Sequence, residues 1–240
     1  MKKKREFRPA TLDERKKFYE TEFSIKKVKK WFKKNNLPTP QLCAIDTGTE
    51  TGITLKKEWK NTLFYFPFNK LEEKIKKYCP EDVYYDRNIY TNPNEVLNTL
   101  KFETYIGQQL VFDIDLDNLR GKKNQKINSE NIKRAYGITK KMVTVLKNNG
   151  FKKMQIVYSG RGFHIHVFDK KAFTLRDYER KKLNKTLKEF PIDPWVSAGH
   201  IRLIRMPYSL HGMISRKVIP IMNSFNETET IPEFLGKNRH

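Results

Sequence analysis

Between residues 110 and 117 the chain reads Leu-Val-Phe-Asp-Ile-Asp-Leu-Asp, with apolar and acidic positions alternating. A period of two predicts a strand whose carboxylates Asp113, Asp115 and Asp117 share one face, while Phe112, Ile114 and Leu116 fill the other. Elsewhere a helical period prevails. Thr11-Leu12-Asp13-Glu14 has the form of a capping box and predicts a helix running to about residue 35. Phe18, Tyr19, Phe23, Ile25, Val28, Trp31 and Phe32 mark its apolar side, and Pro38 and Pro40 close it. A second helix is expected from Ser129 to Asn149, with Ile132, Ala135, Tyr136, Met142, Val143 and Leu146 buried and Gly150 as its cap. Thr174-Leu175-Arg176-Asp177 would cap a third, which Pro191 ends.

The remaining segments read mostly as short strands. Residues 41–70 predict strands with turns near Gly48 and Gly52, and a short helix follows near 70–78. The chain around Pro80 and Pro93, up to about residue 105, reads as irregular. Gln155 to Tyr158, Phe163 to Phe168, Ile201 to Arg205 and Lys217 to Met222 read as strands. Strands interleaved with helices indicate an α/β or α+β fold, mixed sheets flanked by helices. No boundary divides residues 1–240, so one domain is expected.

Charge changes the picture most. Lys and Arg number 49 against 27 acidic residues, a formal net charge of +22. Such an excess points to a polyanionic partner, because each phosphate met by Lys or Arg releases counterions. Part of the surplus is plain surface solvation, since it is spread along the whole chain. Against that background, three carboxylates on one strand face repel one another unless a hard divalent cation lies between them. The bland alternative is an acidic strand rim. The two cysteines, Cys43 and Cys79, form no CxxC and pair with no histidine in sequence, so neither a disulfide framework nor a structural zinc is expected. With no run of about twenty apolar residues and no apolar segment behind Lys2-Lys3-Lys4-Arg5, a soluble cytoplasmic protein is expected, without a membrane partner.

Two further constellations carry chemistry. In Ser159-Gly160-Arg161-Gly162-Phe163-His164-Ile165-His166 the glycines permit a tight turn whose amides, with Ser159 and Arg161, could cradle a phosphate. His164 and His166 then share a strand face, and that spacing alone would also suit zinc. The last constellation runs from Asp193, beside Pro194, through Arg202-Leu203-Ile204-Arg205 to Ser209-Leu210-His211-Gly212. Taken singly, Asp193 is an ordinary turn residue and the two arginines an ordinary solvated edge.

Taken together, the DxD strand, the SGxGxH turn and the Asp followed by a basic strand and SLHG resemble the catalytic small subunit of the archaeo-eukaryotic DNA primases. The resemblance covers about residues 11–222, with Glu14 to Tyr19 similar to the family's opening helix. It implies a primase-like core with the active site between two sheets. It further implies that Asp113, Asp115 and Asp193 bind two divalent ions, Mg²⁺ or Mn²⁺. Ser159, Arg161 and His164 would hold the incoming nucleotide's triphosphate, with Arg205 and His211 completing the cradle. Asp117 is left beside the site or in a turn, and Lys57-Glu58-Trp59 is a weak match to a nucleotide-contacting segment. The implied activity is template-directed synthesis of short primers from nucleoside triphosphates on single-stranded DNA, in DNA replication. The implied partner is a large, iron–sulfur regulatory subunit or an equivalent domain.

The chain departs from the family pattern in one respect. Residues 118–157 contain neither Cys nor His, where relatives carry a zinc knuckle, so no structural zinc is expected. Other readings stay open. One is a primase-polymerase of a plasmid or repair system that extends primers with dNTPs. Others are a silent nucleic-acid-binding module and a zinc-dependent hydrolase built on His164 and His166.

Overall fold

A computed structural model describes residues 7–48, 63–119 and 127–236. In chain order the helices and strands are α1 (Leu12–Thr21), α2 (Ile25–Lys34), β1 (Leu42–Asp46), β2 (Leu63–Pro67), α3 (Leu71–Tyr78), β3 (Asp82–Asp86), β4 (Asn88–Tyr90), α4 (Pro93–Thr99), β5 (Tyr105–Gln108) and β6 (Val111–Asp115). There follow α5 (Ser129–Asn148), β7 (Met154–Tyr158), β8 (Gly162–Val167), α6 (Lys170–Phe173), α7 (Asp177–Thr186), α8 (Pro194–Ala198), β9 (Leu203–Arg205), β10 (Leu210–His211), β11 (Arg216–Lys217) and β12 (Ile219–Pro220). The expected α/β class is what the chain adopts.

Two antiparallel sheets form the body. One runs β11-β10-β3-β1-β2, with β9 sharing the β3 edge with β10. The other runs β12-β7-β8-β6, and β4 with β5 makes a small separate ribbon. Alternation along β6 and β8 divides the second sheet's two faces. Phe112, Ile114, Ile165 and Val167 pack with Met142 and Leu146 of α5 on the outer face. Val111 and Val157 join Cys43, Ile45, Val83 and Tyr85 in the core shared with the first sheet. Asp113 and Asp115 therefore sit on the inner face, toward the other sheet, because Phe112 and Ile114 take the apolar side.

Several expectations need correction. The single helix from 12 to 35 is two. The capping box forms at Thr11 as expected, but Ser24 accepts the Lys27 N–H and caps a fresh helix. A side-chain oxygen competing for the backbone ended the first run. Thr174 does not cap α7; it closes α6, and α7 starts after Arg176 and ends at Thr186, before Pro191 is reached. The helix α5 matches its expectation closely, and Gly150, at φ +84°, stands one residue past its Asn149 cap. The strand expected over 217–222 is two short strands in different sheets, separated by Val218. The irregular stretch to residue 105 instead contains β3, β4, α4 and the start of β5, with Pro93 at the head of α4. Gly48 makes its turn at φ +68°, whereas Gly52 and Lys57-Glu58-Trp59 lie outside the described residues. Among the described residues no helix is long and apolar enough to cross a membrane.

The end of β3 carries a buried polar knot. Asp86 accepts the Asn88 N–H and the Tyr90 hydroxyl, each at 2.9 Å, and Arg202 Nε stands 3.6 Å away. Burial outweighs these partners and pushes the carboxyl up to about 6. A folded-state value above the unfolded one makes this group's contribution to stability largest below about pH 4 and lost as pH rises through 6. Asp86→Asn lacks that dependence. Between pH 4 and pH 7 the native protein should lose about 2–3 kcal/mol of unfolding free energy relative to Asp86→Asn, measured in urea. A constant difference across that range would show the carboxyl to be unperturbed.

Candidate active site

Register builds the site. Pairing of β6 with β8 sets Asp113 opposite His164 and Asp115 opposite Gly162. A Cβ at Gly162 would run into the Ile114 carbonyl oxygen and lie 2.9 Å from Asp115 Cα, so only glycine permits this approach. Two residues earlier Gly160 takes φ +111°, and a Cβ there would press on the His211 ring. The Ser159 N–H donates to the Gly162 carbonyl at 3.0 Å, closing the turn. The turn thus joins the DxD strand on one side and His211 of the other sheet on the other.

Asp193 arrives from a distant segment. Its N–H donates to the Asp113 carbonyl at 2.9 Å, and its Oδ1 caps α8 by accepting the Trp195 N–H at 2.8 Å. Asp115 Oδ1 likewise accepts the Asp117 N–H at 3.0 Å. Each carboxylate keeps a second oxygen beyond these local bonds. Burial, then Asp115 and Asp193, push the Asp113 carboxyl up to about 8, opposed by Arg205 and Arg161. The side chains stop short of closing on one another: among the described residues no three acidic, His or Cys side chains form a ready metal-holding group. Their donor chemistry is nonetheless all carboxylate oxygen, and their mutual repulsion at Asp113 is what a cation would relieve. The residues fit a hard divalent ion.

Cationic and neutral donors line the same cleft. Arg205 makes a two-pronged bond to Asp82, Nε to Oδ1 at 3.0 Å and Nη2 to Oδ2 at 2.9 Å, with Tyr84 Oη also within reach. Burial and then Arg205 drive His211 down to about 3, so it is neutral, 3.5 Å from Asp82 Oδ1. Burial likewise carries His164 well below its ordinary value. Its Nε2 stands 3.5 Å from Asp113 Oδ1, a polar contact of a neutral ring rather than an ion pair. Arg161 pairs with Asp117 and lies 3.7 Å from Asp115 Oδ1. Asp117 therefore steadies both the DxD turn and Arg161.

Of the residues singled out by motif, Asp113, Asp115, Asp193, Ser159, Arg161, His164, Arg205 and His211 gather at this cleft through the contacts above. His166 does not. Its ring meets Trp31 edge-on at 5.3 Å, its Nδ1 lies 3.2 Å from Tyr85 Oη, and burial drives it down to about 3. Neither arginine is a solvated edge residue. Arg202 stacks over Phe102 at 3.5 Å and donates to Tyr65 Oη at 2.6 Å, on the far side of Asp86. The motif reading missed Asp82 and Tyr84, which hold Arg205. Their only sequence signal is the Asp-Val-Tyr-Tyr-Asp alternation over 82–86, in a stretch that read as irregular. A cavity of about 580 Å³ lies elsewhere, lined by Lys34, Lys147, Lys152 and Lys153, and none of the cleft residues reaches it.

Comparison with known proteins bears on this arrangement. The family model for the DNA primase small subunit matches residues 112–191. An uncharacterised DNA primase small subunit-like protein of Archaeoglobus fulgidus is 34% identical, over 96% of this chain and 89% of its own length. The DNA primase small subunit PriS of Pyrococcus abyssi is 32% identical over 73% of this chain, and that of Pyrobaculum calidifontis 30% over 67%. These two are matched over 48% and 50% of their lengths, so the chain spans about half of the PriS relatives. Among solved structures, the polymerase domain of Mycobacterium tuberculosis ligase D in complex with DNA aligns with a TM-score of 0.44 at 10% identity, covering 88% of this chain and 79% of that one. Match by match, the DxD strand, the glycine turn and Asp193 stand within or beside the aligned segment, and the chain belongs to the DNA primase small subunit family.

Proposed function

We propose that this chain is a primase catalytic subunit, joining nucleoside triphosphates on a single-stranded DNA template. The observation that carries the reading is the meeting of Asp113, Asp115 and Asp193, from two distant segments, in a cleft whose other wall presents Arg205 and His211. Asp113, Asp115 and Asp193 would hold Mg²⁺ or Mn²⁺. Two such ions, when bound, activate a 3′-hydroxyl and neutralise the departing pyrophosphate.

The chain's own residues supply the rest. Arg205 and Arg161 bring fixed positive charge to the triphosphate. Asp82 orients the Arg205 guanidinium, so its remaining N–H bonds are aimed before a nucleotide arrives. His164 and His211, held neutral by burial, each offer an N–H donor without adding charge that would compete for the carboxylates. The Ser159–Gly162 turn presents backbone next to these groups. Among the described residues one cradle of this kind adjoins the carboxylates, while starting a primer requires two nucleotides at once. We therefore assign the second nucleotide to a partner, a large subunit or an equivalent domain.

Asp113→Ala should lower template-dependent nucleotide incorporation at least 100-fold, about 2.7 kcal/mol in the barrier, on primed single-stranded DNA. Labelled nucleotide incorporation with Mg²⁺ or Mn²⁺ is the measurement, and undiminished extension by the variant would remove the carboxylate assignment. Activity of the native chain only on primed DNA would fit the partner's role, whereas efficient dinucleotide synthesis by this chain alone would refute it.

Asp82→Asn tests the nucleotide cradle separately. An amide accepts through one oxygen and cannot match both prongs of the guanidinium. The expected result is a rise of about tenfold in KM for the nucleotide, some 1.4 kcal/mol, with kcat changed less. Unaltered KM would mean that Arg205 does not contact the nucleotide.

A further inference from the structure

Trp195 stands two residues past Asp193 and is 62% exposed. The contrast with Trp31 is sharp: that indole is buried and donates its N–H to Gln155 at 2.8 Å. An exposed indole on a fixed backbone is a flat apolar face open to a stacking partner. The backbone beneath Trp195 is rigid. Asp193 Oδ1 accepts the Trp195 N–H, the Ser197 hydroxyl donates to the Asp193 carbonyl at 3.1 Å, and Val196, Ser197 and Ala198 are buried. The residue that offers a carboxylate to the cleft therefore also fixes the indole's base.

The surroundings of Trp195 are aromatic and basic. Exposed His200 meets the indole edge-on at 5.2 Å. The helix α7 packs on α8, and its Asn184 side chain donates to the Pro194 carbonyl at 3.4 Å. At the head of α7 the Tyr178 ring is 56% exposed, with the Arg176 guanidinium 4.6 Å over it. The acids here are already met: Asp177 pairs with Lys181 at 2.6 Å and Glu179 with Arg176 at 3.3 Å. Exposed rings among cations suit the flat face of a base and the charge of its backbone.

We propose that Trp195 is a stacking platform for a base of single-stranded DNA, seating the strand beside Asp113, Asp115 and Asp193. The identity of the strand rests on the nucleotidyl-transfer reading above; the stacking itself rests on exposure, rigidity and charge. A protein partner on the same face is the competing occupant. The Arg176 guanidinium over Tyr178 on the helix packed against α8, and a place next to the carboxylates where a template must pass, favour the nucleic acid.

The test is binding to a fluorescein-labelled single-stranded oligonucleotide and to an abasic oligonucleotide of equal length, by anisotropy, together with intrinsic tryptophan fluorescence. Native protein should prefer the base-bearing strand and show quenching on titration. Trp195→Ala should weaken binding of that strand about tenfold, with the abasic strand little changed, and Trp195→Phe should recover most of the loss. Trp195→Phe should also lose most of the quenching, since the indole that stacks is gone. Equal affinity of native and Trp195→Ala protein for the base-bearing strand would overturn the proposal and leave the face to a protein. A matching loss for the abasic strand would overturn it as well, because stacking would then not be the cause. Asp113→Ala separates the two readings. If that variant still incorporates nucleotide, the catalytic assignment fails while the Trp195 result stands by itself.

Discussion

Everything at the cleft depends on how closely β6 can approach β8. Gly162 lets the Ile114 carbonyl and Asp115 Cα come nearer than any side chain would allow, and that contact fixes the pairing of Asp113 with His164. Side chains alternate with a period of two, so a slip of one residue would turn the whole strand over. Phe112 and Ile114, now fully buried against α5, would face the cleft, and two carboxylates would enter an apolar core. Burying unpaired carboxylates costs far more than the strand could recover by packing. The apolar half of the alternation thus enforces the placement of the acidic half.

That placement creates an electrostatic problem which the second sheet partly answers. Burial, and then Asp115 and Asp193, push the Asp113 carboxyl upward, while Arg205 and Arg161 pull the other way. Arg205 can face this cluster because Asp82 grips it from behind. The same Asp82 stands near the His211 ring, which in turn rests against Gly160. One carboxylate of β3 therefore ties the basic wall, the neutral histidine and the glycine turn together.

The parts of this arrangement that the sequence revealed are those whose cause is local. The alternation at 110–117, the capping box at Thr11 and the glycine turn at 159–162 each depend on neighbours a few residues away. The break between α1 and α2 is also local, but apolar positions recurring from Phe18 to Phe32 hid the capping role of Ser24. Asp82 was invisible for a different reason. Its partners Arg205 and His211 lie far along the chain, and nothing about an aspartate ahead of Val-Tyr-Tyr announces them. Arg202 departs from its reading as a solvated strand edge. It looks like Arg205 in sequence, yet it closes over Tyr65 and Phe102 beside Asp86.

The two arginines show how one short segment serves structure and chemistry at once. Arg205 pairs across to β3 at Tyr84 and turns its charge toward the carboxylates, whereas Arg202, just before β9, spends its charge on aromatic faces and a buried knot. Lysine at the second position would stack poorly, and at the first could not match both oxygens of Asp82. A chain so rich in lysine still places arginine at each of these points. Its diffuse charge can draw a polyanion from any direction, but only planar, directed donors such as those of Arg161 and Arg205 would, in the function proposed, hold a triphosphate in one orientation.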